Sequence, residues 1–132
     1  MTVVLVPIGS SGAAEMVVAS RDTAIALGSG DVAVLGTPRM LALLEQATCE
    51  ALRGHLPDTH TSVGASISLE HRAPTPVDSR VRARANVVEV DGAKVVFDVA
   101  ADHETAAGEV RTGVATGRIT RVIVERSSFA AG

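Results

Sequence analysis

Tryptophan and tyrosine are absent from this 132-residue chain and phenylalanine occurs twice. Any core must therefore be built from Val, Ala, Leu and Ile, and the aromatic platform on which single-stranded nucleic acids stack cannot be formed. Cysteine occurs once, as Cys49, which excludes an internal disulfide framework; its apolar neighbours predict a buried thiol in a reducing compartment. There is no CxxC and no clustered His/Cys pattern; His103 reads as sitting in a turn with Asp102 and Glu104, and His55, His60 and His103 have no metal-ligand spacing. Basic residues are scattered through a chain of net charge −3, so the electropositive stripe that phosphate backbones require is missing and nucleic acid is not an expected partner. No uncharged apolar run is long enough to cross a bilayer, and the opening MTVVLVPIGSSG has no basic segment before it. The expectation is a soluble, cytoplasmic protein without a membrane partner.

With 46% apolar residues, the chain can bury one core, and no linker, repeat or low-complexity segment divides it, so a single domain over residues 1–132 is expected. From Thr2 to Leu27 the pattern reads as a loose strand region, with Met16 to Ala19 extended and Ser10 to Gly12 as punctuation. Thr37-Pro38 opens the clearest helix, with threonine as the cap and proline at the first helical position. Met40, Leu43, Leu44, Ala47 and Ala51 mark its apolar face, while Arg39, Gln46, Glu50 and Arg53 mark another, and it ends near Gly54 or Pro57. The period then switches to two. Val63, Ala65, Ile67 and Leu69 alternate with Ser62, Gly64, Ser66 and Ser68, and after Ala73-Pro74-Thr75-Pro76 a second strand alternates through Val81, Ala83, Ala85 and Val87. Asp91-Gly92 signals a hairpin into Val95, Phe97, Val99 and Ala101, and Gly108 opens a last extended run from Val110 to Val124. One long helix followed by four half-apolar strands predicts an α+β fold, a curved antiparallel sheet wrapped around the helix in the hot-dog arrangement.

Two polar residues depart from this pattern. Glu45 lies roughly 110° from the centre of the polar stripe at about 100° per residue, where it is either desolvated for use as base or nucleophile or reaches solvent from the margin of the apolar face. His71 continues the apolar alternation of its strand and should point toward the helix, either as a proton-transfer group or as a satisfied structural histidine. Thr37 needs no role beyond a cap, and Gly64 either admits a substrate carbonyl to a backbone N–H or marks a bulge. Together, Glu45 could attack a thioester or activate water, His71 could shuttle a proton and a hydroxyl could orient the carboxylate. Arg80, Arg82 and Arg84 either meet coenzyme A phosphates or form a solvated sheet face.

TPRMLALLE, with Thr37 eight positions before Glu45, then SVGASISLEH and APTP, resembles the fluoroacetyl-CoA thioesterase-like family of hot-dog proteins. The resemblance runs from about Thr37 to the hairpin beyond Gly92 and more loosely to Val124. It implies Thr37 and Glu45 as acyl-transfer residues, His71 as general acid or base, Gly64 as carbonyl-binding backbone, and a homodimer that acts on acyl-CoA without a cofactor or metal. An open sheet edge that a symmetric partner can cover fits that dimer. Two features depart from the family: GSGDVAVLG before Thr37 lacks the aromatic residues expected around a fluoroacetyl pocket, and Arg118 aligns ambiguously with a basic position on the last strand. The expected activity is hydrolysis of a short or medium acyl-CoA thioester. The alternatives are a non-catalytic acyl-CoA binding dimer and a hydratase or dehydratase of the same fold.

Overall fold

The computed structural model describes residues 4–131. Five strands, Ser11–Val17 (β1), His60–His71 (β2), Arg80–Asp91 (β3), Lys94–Glu104 (β4) and Val110–Glu125 (β5), form one sheet in the order β1-β3-β4-β5-β2, with every neighbouring pair antiparallel. The helices are Ala24–Leu27 (α1), Thr37–Leu52 (α2) and Arg126–Ala131 (α3). The long α2 lies chiefly against β1 and β3, and this curved sheet holding one long helix is the hot-dog arrangement.

Periodicity explains the core. Met40, Leu43, Leu44, Ala47 and Ala51 are buried on one side of α2 and meet Val81, Ala83, Ala85 and Val87 of β3 and Val95, Phe97, Val99 and Ala101 of β4, every second residue of each strand. Burial of each large side chain stabilises by about 1.5–3 kcal/mol, so truncating Leu43 or Leu44, both fully buried, costs about 2–5 kcal/mol. Asp91 and Gly92 turn β3 into β4, with Gly92 at φ 61°, in the left-handed region that an Asp-Gly turn exploits.

Four local expectations are corrected. Residues 4–27 are not a loose strand region: β1 starts at Ser11, and Ser20–Asp22 form a 3-10 turn before α1, while Met1 to Val3 lie outside the described residues. Gly12 is inside β1 rather than in a break, because a Cβ there would collide with the backbone of Ala47 and Ala51 where strand and helix touch. His103 is not in a turn but in β4, buried, with Nδ1 2.7 Å from Thr75 Oγ1. Cys49 is exposed rather than buried, since it sits on the side of α2 turned away from β1 and β3.

The alternation of β2 is also interrupted. The register with β5 runs Ser62↔Ile123, Gly64↔Arg121, then Ser66↔Thr120, Ile67↔Ile119, so Ala65 is an extra, bulged residue. Ser62 and Gly64 therefore share the inner face with Ile67, Leu69 and His71, and Val63 is turned to the outer face.

Candidate functional site

Thr37 is the first residue of α2 and not its cap: Gly36 takes that position, and its carbonyl accepts from the backbone N–H groups of Arg39 and Met40, each at 3.0 Å. The Thr37 hydroxyl is thereby free of the helix, and Oγ1 lies 2.9 Å from His71 Nδ1 at the last residue of β2. Burial lowers the His71 pKa. Nε2 is buried and has no partner among the described residues; an imidazolium needs two acceptors, and only Nδ1 has an oxygen beside it. The ring is thus neutral at neutral pH, and, with the proton on Nε2, Nδ1 can accept one from the threonine hydroxyl. The Thr37 side of the pair is exposed.

Glu45 belongs to a second cluster. Its side chain is 33% exposed, and Oε2 accepts from Arg121 Nη1 at 3.3 Å. Arg121 is itself buried and anchored on β2, with Nε donating to Ser62 Oγ at 2.8 Å and Nη2 to the Ser62 carbonyl at 3.0 Å. A buried guanidinium is tolerable when its N–H groups are so occupied. Gly64 completes the cluster: a Cβ there would lie 2.8 Å from Glu45 Oε2, so a side chain at this position would push the carboxylate aside.

The four sequence-predicted residues thus form two pairs, Thr37 with His71 and Glu45 with Gly64. Within the chain the pairs are well separated. Thr37 and Glu45 are about 12 Å apart along the helix axis at 1.5 Å per residue, and Gly64 and His71 are about 20 Å apart along β2 at 3.3 Å per residue.

Arg121 is the member of the second cluster that sequence reasoning missed. The signal was present, since Ile119, Arg121 and Ile123 alternate on one face of β5 and both isoleucines are core residues. Arg118 instead points outward and pairs with Asp98 at 2.9 Å, with its side chain 62% exposed. Arg82 and Arg84 are on the outer face as well, paired with Glu15 and Asp102, which supports the solvated-face reading over phosphate binding. No group of three His, Cys, Asp or Glu side chains among the described residues could hold a metal ion, and none of the described helices is long and apolar enough to cross a membrane.

Among solved structures, the chain is similar to a Thermus thermophilus hypothetical protein of the thioesterase superfamily (TM-score 0.83, 23% identity, covering 96% of this chain and 90% of that one). It is also similar to the fluoroacetyl-CoA thioesterase FlK (TM-score 0.80, 23% identity, 95% and 93%) and to a hot-dog-like protein from Thermanaerovibrio acidaminovorans (TM-score 0.77, 24% identity, 95% and 88%). At such identities the likeness concerns the fold. No curated protein sequence matches the chain. The model of the fluoroacetyl-CoA-specific thioesterase family matches residues 18–127, a span that includes Thr37, Glu45, Gly64, His71 and Arg121, and the chain belongs to that family.

Proposed function

We propose that this chain, as one hot-dog domain over residues 1–132, is a cytoplasmic, cofactor-free homodimeric hydrolase of short or medium acyl-CoA thioesters, with Thr37, Glu45 and His71 as catalytic residues and Gly64 at the substrate. The observation that carries the reading is the 2.9 Å contact between the Thr37 hydroxyl and a histidine whose pKa burial lowers. His71 Nδ1 takes the hydroxyl proton as Thr37 Oγ1 attacks the thioester carbonyl. The C–S bond breaks, and the coenzyme A thiolate leaves with that proton. Water then gives a proton to Nδ1, attacks the threonine ester and releases the free acid, and the proton returns to Oγ1.

Glu45 enters through the partner subunit. β2 is an edge strand of twelve residues, and its stretch from Thr61 to Leu69 has no charge and no proline, so apart from the bulge at Ala65 it lacks the devices by which exposed edges avoid pairing. Antiparallel pairing of two such edges about Ser68, counted with the bulge at Ala65, sets Gly64 opposite the partner's His71 on the same face of the sheet. The Glu45 carboxylate, held by Arg121, then faces the partner's Thr37–His71 pair, where it stabilises the imidazolium that forms and orients water for the second step. Each site takes groups from both chains.

Release of coenzyme A thiol from a panel of acyl-CoA thioesters tests the activity. Mixing two inactive variants tests the site: in a heterodimer of Glu45→Gln and His71→Ala, one of the two composite sites keeps both groups, so random exchange restores about a quarter of wild-type turnover. No recovery on mixing, with exchange verified, would sink the shared site. A folded dimer that binds acyl-CoA but releases no thiol would instead be a binding module.

A further inference from the structure

Beside Thr37 and His71 lies a cavity of about 320 Å3 between the α1–α2 segment and the β2–β3 loop. Resting on the reading of these two residues as catalytic, we infer that this cavity is the acyl pocket and that it selects an uncharged aliphatic chain of about four to eight carbons over two-carbon and carboxylated acyl groups. The size sets the lower limit: in about 320 Å3 open to the centres of water-sized groups, an acetyl unit of three heavy atoms would leave most of the space to solvent.

The lining sets the chemistry. Ala24, Val32, Val34, Leu35, Ala73 and Pro74 form the walls, all small or aliphatic and none aromatic, so the pocket offers apolar contact without a ring to close over a short acyl group. Two charged residues stand in it. Arg72 is paired with Glu70 at 3.0 Å, whereas Asp31 has no salt bridge among the described residues. A substrate carboxylate would therefore meet an arginine already shared with Glu70 and, at Asp31, an unpaired like charge.

The walls are also held in place. Leu35 N donates to the Thr75 carbonyl at 2.9 Å and Ala24 N to the Val34 carbonyl at 2.9 Å, and Val34 bridges to Pro76. The pocket is preformed, so little ordering opposes entry of a chain.

The test measures kcat/KM for acetyl-, butyryl-, hexanoyl-, octanoyl-, isovaleryl-, fluoroacetyl- and succinyl-CoA, together with binding of the non-hydrolysable thioether analogues of acetyl- and hexanoyl-CoA. Hexanoyl-CoA is expected to exceed acetyl- and succinyl-CoA by tenfold or more, the smallest discrimination a well-fitted methylene brings. Val32→Phe and Ala73→Leu each reduce the hexanoyl-to-acetyl ratio at least tenfold. Preference for acetyl-, fluoroacetyl- or succinyl-CoA, or a ratio that neither folded variant moves, overturns the inference. If no thioester is hydrolysed, the catalytic reading fails by itself, and the analogues still decide: tighter binding of the hexanoyl thioether, lost in Val32→Phe, upholds the pocket, and equal binding of both overturns it.

Discussion

The chain contains two threonine–histidine pairs with nearly the same contact, Thr37 with His71 at 2.9 Å and Thr75 with His103 at 2.7 Å. Burial lowers the pKa of both histidines, with Arg111 adding to the effect at His103. The hydrogen bond therefore cannot distinguish a reactive group from a structural one. Their settings do. Thr75 is fully buried and its carbonyl receives Leu35 N, so the second pair fastens to β4 a β2–β3 loop that in turn holds the segment leading into α2. Thr37 is exposed at a helix start and borders a cavity, so the first pair can reach a ligand.

The largest effect that would break this contrast is on turnover. His71→Ala should lower kcat/KM by about 10²–10⁴, while His103→Ala should leave kcat/KM per folded protein near wild type. Equal losses in both would put the two pairs in one role. Next comes the opposite cluster. Arg121→Met removes the cation beside Glu45 and should lower kcat by about tenfold or more with a smaller change in KM; steady-state kinetics on one substrate are enough to see it.

Stability should show the reverse order. His103→Ala leaves Thr75 Oγ1 without a partner and opens a void, a loss of about 1–3 kcal/mol that urea denaturation measures. The smallest effect is on pH dependence. A histidine whose folded pKa lies below the ordinary 6.5 binds its proton more readily when unfolded, so its contribution is complete above 6.5 and is eroded as pH falls below it toward the folded value. The kcat/KM profile should bend in that same acid range because of His71. His103→Asn should flatten the stability profile there and leave the activity profile in place; a shift of both curves together would contradict separate roles.

The parts of the fold that were legible in the sequence rest on short-range periodicity. The α2 face, the β3 and β4 alternations and the Asp91-Gly92 hairpin each repeat over several residues, and the structure keeps them. Glu45 and His71 stood out because each is polar at an apolar position, and Arg121 would have been found by the same test on β5. What could not be read depends on contacts between distant segments. Gly12 in β1 is dictated by the approach of α2, Thr37 gives up the cap because Gly36 takes it, and His103 is buried because Thr75 comes back from another loop. The separation of the four site residues into two pairs is of this kind as well, since it needs the tilt of a helix against a strand.

Ala65 gives β2 a change of phase. Upstream of it the even-numbered residues look inward, and downstream the odd-numbered ones do, so one ribbon presents Gly64 and His71 to the same side although seven positions separate them. Deleting Ala65 would take out the extra residue and leave Gly64, Ser66 and Ile67 in plain alternation opposite Arg121, Thr120 and Ile119, so both groups would keep their sides. Adding a residue between Gly64 and His71 would instead need a second bulge or turn one group to the other side. The bulge thus absorbs the loss of one residue between Gly64 and His71 but not the gain of one, and an insertion there is a more severe lesion than most substitutions along the strand.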